Sequence, residues 1–211
     1  MTENEGTDLL PFARCLAPLQ FFLCAFTEYS SNIYELLLPN GDIMSFLIPD
    51  DMFVSITAIT PDYLRQNGVN TLLLDVDNTL SEHHSGVAAE GVEDWLVGVR
   101  SSGINVMIVS NSKEERIKPF ADSLSLPFEA LSLKPLTKGI GRAIKRMGAD
   151  KSHTALIGDQ IFTDVLGCRF AGIRVLFVRY IKKENGLWFR VRRFFESIIL
   201  KNREYKGVVK K

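Results

Sequence analysis

From about residue 46 the chain alternates short apolar runs with helical segments, and this alternation limits the folds open to it more than any other feature. The run at residues 71–76 is apolar at consecutive positions, as in a strand buried on both faces of a sheet. Four further strands are predicted at residues 104–109, 127–130, 153–157 and 173–178. Because right-handed crossovers join such strands, we predict a three-layer, Rossmann-like α/β fold with a parallel sheet of about five strands.

Residue types at the ends of several segments predict where helices begin and end. Thr60 followed by Pro61 is typical of a helix start, because threonine caps the first turn and proline fits the first helical position. Gly68 predicts the end of that helix. Ser112 and Glu115 have the spacing of a capping box, which predicts another helix start. Three more helices are predicted over residues 89–102, 136–147 and 161–171.

Polar side chains follow the predicted strands at the points where the strands end. They are Asp75 and Asp77 after the first strand, Ser110 and Asn111 after the second, Lys134 after the third, and Asp159 and Asp164 after the fourth. Because the carboxyl ends of parallel strands share one edge, we expect these groups to lie close together. Clustered carboxylates repel unless a cation neutralises them, and oxygen ligands favour Mg²⁺. Such a site could stabilise a phosphoryl group, attack it with one carboxylate and move protons with another.

The order and spacing of these motifs resemble those of the haloacid dehalogenase (HAD) superfamily of phosphatases. The motifs are Asp75-x-Asp77-x-Thr79, Ser110, Lys134 and Gly158-Asp159-x-x-x-x-Asp164. The resemblance implies that Asp75 is the nucleophile and a Mg²⁺ ligand. It implies that Asp77 is the general acid and base, with its backbone carbonyl also on Mg²⁺. It further implies phosphate binding by Ser110, Asn111 and Lys134, and Mg²⁺ binding by Asp159, with Asp164 as a ligand or close behind it.

The residues around these motifs are similar to one branch, the YqeG-like phosphatases of subfamily IIIA. They are Asp-x-Asp-Asn-Thr-Leu at 75–80, Val-Ser-Asn at 109–111, Lys-Pro at 134–135 and Gly-Asp-Gln-x-x-Thr-Asp-Val-Leu-Gly at 158–167. The similarity covers roughly residues 46–180. This branch is similar to the phosphatidylglycerophosphate phosphatases, which complete phosphatidylglycerol synthesis. The resemblance therefore implies a phospholipid headgroup as the substrate.

The spacing between the motifs leaves no room for a cap domain over the site. About ten residues, 81–90, separate the first motif from the next helix, and residues 112–134 have room for one helix and a strand. An open site requires the substrate itself to exclude water, which favours a phosphate on a lipid, a protein or a nucleic acid. His83 and His84 fall in the first gap, and as adjacent histidines without a cysteine partner they are predicted to be solvated loop residues.

The extent of the resemblance and the charge distribution together predict three parts of the chain. They are an N-terminal extension at 1–45, the phosphatase domain at 46–180, and a basic amphipathic helix and tail at 181–211. Residues 1–51 hold one basic and eight acidic residues, whereas residues 179–211 hold 11 basic and three acidic residues. The sequence shows no nucleic-acid recognition module, so no nucleic-acid partner is expected.

Residues 186–201 predict a helix with one apolar face and one basic face. The apolar residues are Leu187, Trp188, Val191, Phe194, Phe195, Ile198 and Ile199, and the basic ones are Arg190, Arg193 and Lys201, with Arg192 on the flank. One interpretation is peripheral binding to a membrane surface. The other is packing on the sheet with the arginines in solvent. Both interpretations keep the arginines away from the predicted site.

Residues 9–26 are apolar at 14 of 18 positions, but acidic residues precede them and two prolines interrupt them. A membrane span, an extra helix packed on the domain, and an arm added by an upstream start codon are the three interpretations. Cys15, Cys24 and Cys168 have no metal-binding spacing and indicate packing in a reducing compartment. We therefore expect a cytoplasmic protein, with peripheral association at the inner face of a membrane.

Three functions are compatible with these observations. The first is a Mg²⁺-dependent phosphatase that acts on phosphatidylglycerophosphate through an aspartyl-phosphate. The second is an uncapped HAD phosphatase for a soluble phosphate ester, a protein or a nucleic-acid end. The third is a non-enzymatic HAD-fold scaffold, against which the complete set of acidic motifs argues.

Overall fold

The computed structural model describes residues 46–83, 85–183 and 186–207, apart from the side chain of Trp188. In this part of the chain, six strands form one sheet in the order β1-β6-β5-β2-β3-β4. The strands are β1 Asp51–Phe53, β2 Thr71–Leu74, β3 Asn105–Val109, β4 Phe128–Glu129, β5 Thr154–Gly158 and β6 Arg174–Val178. All five neighbouring pairs are parallel, as predicted. Strand β1 was not predicted, because three residues at a sheet edge are too few to show a period.

Helices cover both faces of this sheet. They are α1 Pro61–Gln66, α2 Val92–Ser101, α3 Glu114–Ser123, α4 Thr137–Met147, α5 Leu166–Ala171 and α6 Leu187–Ile199. A single π-helical turn, Ile161–Val165, leads into α5. Leu72 packs in a cluster that includes residues of α2 and α3, whereas Leu73 packs with residues of α4 and α5. This division arises because successive strand residues point to opposite faces, and it confirms the three-layer fold.

The predicted helix ends are partly confirmed. Thr60 caps α1, since its hydroxyl accepts a hydrogen bond from the Tyr63 amide at 3.1 Å. The prediction of a capping box at the start of α3 is wrong, because the N-cap residue is Lys113 and its side chain makes no capping hydrogen bond. The Ser112 hydroxyl instead accepts a hydrogen bond from the Arg116 guanidinium. A hydrogen bond between side chains four residues apart has here replaced the capping hydrogen bond that the sequence pattern favoured.

Connections between the strands are short on the side of the sheet where the predicted site lies. Between β2 and α2, the described residues 75–83 and 85–91 contain turns and no helix, and α3 is the only helix between β3 and β4. Within the described ranges, therefore, no cap domain interrupts the fold. Cys168 is buried in the cluster with α4 and α5, as a packing residue. Cys15 and Cys24, like residues 9–26, lie outside the described residues.

Helix α6 packs on the sheet through a mixed face. Ile199 is 9% exposed and joins the same buried cluster as α4 and α5, and Glu196 is buried beside it. Phe194, Phe195 and Ile198 remain exposed. Among the helices described, none is both long enough and apolar enough to cross a membrane.

Candidate active site

Three carboxylates meet at the carboxyl ends of β2 and β5. Asp75 follows β2, Asp159 follows β5, and Asp164 lies in the π-helical turn. Leu74 and Ile157 are register partners in these neighbouring strands, so the residues that follow them lie side by side. All three side chains are buried, and one oxygen of each lies within 4.8 Å of the others.

A buried lysine lies between two of these carboxylates. The Lys134 Nζ is 2.6 Å from Asp75 Oδ1 and 2.7 Å from Asp164 Oδ1. Burial raises the pKa of Asp75 to about 7, although the Lys134 ammonium opposes the shift. Burial also raises the pKa of Asp159 well above its ordinary value. For Lys134, burial acts to lower the pKa, but Asp164 and Asp75 outweigh it and raise the pKa. The three carboxylates and one lysine therefore carry an excess of negative charge, which is unfavourable in a buried site.

The donor set fits a magnesium ion. Asp159 Oδ1 is buried and has no hydrogen-bond partner among the described residues. Leaving a buried acceptor unsatisfied is unfavourable by about 1–3 kcal/mol, which a bound cation would offset. Asp75, Asp159 and Asp164 offer only carboxylate oxygens, which are hard ligands and suit Mg²⁺.

Asn111, which follows β3, positions the loop that carries Lys134. The Asn111 Oδ1 accepts hydrogen bonds from the Lys134 amide and the Ser132 hydroxyl, both at 2.7 Å. Its Nδ2 donates to the Lys134 carbonyl at 2.9 Å. Ser110 is buried, and its hydroxyl accepts from the Ser112 amide at 3.2 Å. Asn111 thus holds the Lys134 backbone in place.

A cavity of about 220 Å³ opens above these residues. It is lined by Asp75, Asp77, His83, Ser110, Asn111, Ser112, Lys134, Gln160, Thr163, Phe189 and Arg192. Five of the seven predicted site residues are in this lining, and the other two, Asp159 and Asp164, are buried next to Asp75. The structure therefore brings all seven to one place.

Asp77 is held by an arginine that sequence analysis missed. The Arg116 Nη1 donates to Asp77 Oδ2 at 2.7 Å, and its Nη2 donates to Asp77 Oδ1. Because the hydrogen bond to Asp77 stabilises its charge, the pKa of Arg116 is raised. Arg116 lies four residues after Ser112 in the first turn of α3, so it faces the strand end. That spacing is the signal that could have identified it.

His83 is a loop residue, as predicted, but it belongs to the cavity wall and its side chain is only 30% exposed, so it is less solvated than expected. Its Nδ1 lies 3.4 Å from Asp77 Oδ1, and its ring meets the Phe189 ring edge-on at 5.7 Å. His84 lies outside the described residues. Contact with α6, which is distant in sequence, explains why a local pattern could not place His83.

The arginines of α6 also reach the site, contrary to both interpretations of that helix. The Arg193 Nη1 donates to the Asp159 carbonyl at 2.7 Å, and its Nη2 donates to Asp159 Oδ2. The Arg192 Nη1 donates to Gln160 Oε1 at 3.0 Å. These contacts place α6 against the residues that follow β5, and so they bring part of its basic face to the site. The basic face is therefore divided between the site and the surface, where Arg190 is exposed.

Gly158 is required by the close approach of Asp164. A Cβ at this position would lie well inside van der Waals contact with the Asp164 carboxyl group. Gly158→Ala should displace Asp164, lower the free energy of unfolding by about 1–3 kcal/mol and reduce activity. Urea unfolding and phosphate release would measure both effects. Gly141→Ala in α4 is the matched control, since its Cβ meets nothing within 4 Å. Equal stability and activity of the Gly158→Ala and parent proteins would contradict this role.

Comparison with known proteins places this geometry in a family. The chain is 34% identical over 165 residues to the "Probable phosphatase YqeG" of Bacillus subtilis (strain 168), which covers 78% of this chain and 96% of that protein. The HAD-hydrolase-like family model matches residues 134–184.

Two solved structures show a resemblance at lower identity. An uncharacterized protein from Listeria monocytogenes serotype 4b has 16% identity and a TM-score of 0.47, over 63% of this chain and 99% of that one. The 3-deoxy-D-manno-octulosonate 8-phosphate phosphatase from Moraxella catarrhalis, in complex with magnesium, phosphate and KDO, has 21% identity and a TM-score of 0.43. That match spans 66% of this chain and 91% of that one. From its identity to YqeG over nearly the full length of that protein, this chain belongs to the YqeG-like family of HAD phosphatases.

Proposed function

We propose that this phosphatase hydrolyses a phosphate monoester through an aspartyl-phosphate on Asp75, with Mg²⁺ as its cofactor. The main support is the contact of Lys134 with Asp75 and Asp164, beside Asp159. This arrangement combines a nucleophilic carboxylate, a cation for the phosphoryl oxygens and a set of metal ligands in one buried place.

In the first half of the reaction, a carboxylate oxygen of Asp75 attacks phosphorus. The bond between phosphorus and the leaving oxygen breaks, and that oxygen takes a proton from Asp77. Lys134 and Ser110 bind the non-bridging phosphoryl oxygens. Asp75, Asp159 and Asp164 would hold the Mg²⁺, which when bound stabilises negative charge on the phosphoryl group.

In the second half, Asp77 accepts a proton from a water molecule whose oxygen attacks phosphorus. The bond between phosphorus and the Asp75 oxygen breaks, which releases inorganic phosphate and restores the carboxylate. Arg116 donates a hydrogen bond to each oxygen of Asp77 and so keeps this carboxylate oriented toward the cavity.

We propose further that the substrate is phosphatidylglycerophosphate at a membrane surface. The same helix, α6, lines the cavity with Phe189 and Arg192 and exposes Phe194 and Phe195. A phosphate carried on a lipid headgroup could enter the cavity while the exposed rings contact the apolar part of the bilayer. The absence of a cap over the described part of the site is consistent with so large a substrate.

Phosphate release from a substrate panel tests this function. The panel contains phosphatidylglycerophosphate in mixed micelles, a nitrophenyl phosphate, a phosphopeptide and a 5′-phosphorylated oligonucleotide, each with Mg²⁺ and with excess chelator. We expect preference for the lipid and no release in chelator until Mg²⁺ is restored. Preference for a water-soluble ester would support the second function and reject the lipid. Full activity in excess chelator would reject the metal, and no activity on any substrate would reject the enzyme.

The exposed rings of α6 give the lipid proposal its own prediction. Phe194 and Phe195 are 61% and 51% exposed, so changing both to serine should leave folding intact. Each ring buried in a bilayer would contribute about 1.5–3 kcal/mol. The double variant should therefore bind anionic vesicles at least about 10-fold more weakly in a sedimentation assay.

The double variant should hydrolyse nitrophenyl phosphate at the parent rate, since both rings are exposed and neither lines the cavity. Val97→Ser on α2 is the matched control, because this side chain is also exposed, at 65%. If the double variant and the control bind vesicles equally well, α6 is not the lipid-binding element.

A further inference from the structure

Arg193 makes a two-point contact with Asp159, which lies 34 residues before it in sequence. One guanidinium nitrogen donates to the Asp159 carbonyl at 2.7 Å and the other to its Oδ2. The Asp159 side chain is completely buried, and that of Arg193 is 15% exposed. A planar guanidinium bound at two points fixes direction as well as charge. Asp159 therefore cannot rotate freely.

The contact uses only one of the two oxygens of Asp159. The other, Oδ1, is buried and has no hydrogen-bond partner in the described part of the chain. The Asp159 carboxylate is also the one that, with Asp75 and Asp164, forms the acidic cluster. One oxygen is thus held by the helix, and the other is left for a cation.

Arg193 is itself held in place by two neighbours. Its Nη1 donates to Glu196 Oε2 at 2.8 Å, and its guanidinium lies 4.6 Å from the centre of the Tyr180 ring. Glu196 is buried, and its Oε1 accepts a hydrogen bond from the Ile161 amide at 3.0 Å. Ile161 is two residues after Asp159. Helix α6 therefore holds this loop at Asp159 itself and again two residues later, at Ile161.

We propose that Arg193 is a positioning residue for the metal site, and that α6 is for this reason part of the catalytic unit. By holding Oδ2 and the backbone carbonyl of Asp159, Arg193 presents Oδ1 to Mg²⁺. Partners of this kind set the orientation of a metal ligand, and their loss commonly weakens metal binding by about 10–100-fold. This inference rests on the Mg²⁺ site of the proposed function.

A competing role for Arg193 predicts the opposite change in Mg²⁺ affinity. If its positive charge merely substituted for the metal at Asp159, removing that charge would relieve repulsion and strengthen Mg²⁺ binding. If it positions Asp159, removing it releases the carboxylate and weakens Mg²⁺ binding. The direction of the change in affinity separates the two roles.

Isothermal titration of the metal-free, full-length protein with Mg²⁺ measures this without substrate. We expect Arg193→Gln to raise the Mg²⁺ dissociation constant by about 10–100-fold. Arg193→Lys should also raise the dissociation constant, because an ammonium cannot make the planar two-point contact. The increase should be smaller than for glutamine, because lysine keeps the positive charge. Glu196→Gln should also weaken binding, by loosening Arg193. Arg203→Gln, an exposed arginine just beyond α6, is the matched control and should bind Mg²⁺ as the parent does.

A second readout is the Mg²⁺ concentration that gives half-maximal hydrolysis of nitrophenyl phosphate. It should rise in parallel with the dissociation constant, with a much smaller change in kcat at saturating Mg²⁺. Circular dichroism checks that each variant is folded, and if Arg193→Gln is not, the lysine and Glu196 variants carry the test. Unchanged or tighter Mg²⁺ binding in the folded variants would overturn the proposal.

The outcome can be separated from that of the proposed function. If the parent binds Mg²⁺ but hydrolyses no phosphate ester, the proposed function fails while the role of Arg193 is still measured. If the parent binds no Mg²⁺ at all, both are rejected.

Discussion

Replacing Asp75 by asparagine should abolish phosphate release while leaving the chain folded. The amide keeps the shape of the side chain but cannot act as an anionic nucleophile, and losing such a nucleophile lowers turnover by about 10⁴-fold or more. Lys134 would retain its contact with Asp164 at 2.7 Å, so the lysine does not become a buried, unpaired charge. Rapid-quench measurement of both phosphate release and covalent phosphoenzyme would test this.

The stability of this variant should depend on pH in a defined direction. Because burial raises the pKa of Asp75 to about 7, the folded, metal-free parent holds a proton there that the unfolded chain loses near its ordinary pKa of 3.8. The contribution of Asp75 to stability is therefore present in acid and is lost as the pH rises through about 7. Asparagine has no such loss, so the difference in unfolding free energy should move in favour of the variant between about pH 4 and pH 7.

Asp122→Asn, which changes a 58% exposed carboxylate on α3, is the control for both measurements. It should retain parental turnover and show no comparable change of stability with pH. A phosphoenzyme that still forms in Asp75→Asn would reject Asp75 as the nucleophile.

Asp77→Asn should lower turnover by about 10²–10⁴-fold, the usual contribution of general acid and base catalysis. The loss should depend on the leaving group, because a nitrophenolate leaves without a proton whereas an alkoxide does not. Formation of the phosphoenzyme from nitrophenyl phosphate should therefore be partly spared, and its hydrolysis should be slow because water has lost its base. Pre-steady-state kinetics with a nitrophenyl and an alkyl phosphate separate the two steps.

The variant Arg116→Gln separates the effect of losing proton transfer by Asp77 from the effect of losing the orientation of the Asp77 carboxylate. This variant keeps the carboxylate but removes the two-point contact that holds it. It should lower the rates for both leaving groups by a similar, smaller factor. If Asp77→Asn also slows phosphoenzyme formation equally for good and poor leaving groups, Asp77 is not the general acid.

The site could be predicted from sequence as far as strand order and spacing determine it. Asp75 and Asp159 follow adjacent parallel strands whose partners Leu74 and Ile157 are in register. Parallel strands end at one edge, so any polar residue placed directly after them must reach that edge. The same argument placed Lys134 near both acids, although its contact with Asp164 depends on how the Asn111 side chain holds the loop.

Local patterns failed where a tertiary contact offered a stronger partner. The spacing of Ser112 and Glu115 favoured a capping box, but in the folded chain Ser112 faces Arg116 and Asp77. A capping hydrogen bond is one neutral contact, whereas the Arg116 contacts are charge-assisted and partly buried, and such bonds are roughly twice as strong. His83 is a similar case, because the neighbour that places it is Phe189 on α6.

The parallel α/β fold and the set of acidic residues at its edge follow from local sequence patterns, because hydrophobic period and strand-end position are local properties. The surroundings of α6, in contrast, depend on contacts between residues far apart in sequence. An amphipathic pattern indicates that one face of a helix is polar. It does not indicate whether a basic face contacts solvent, a lipid surface or a buried carboxylate. The contacts of α6 in the folded chain select among them, because Arg193 binds Asp159 while Phe194 and Phe195 stay exposed.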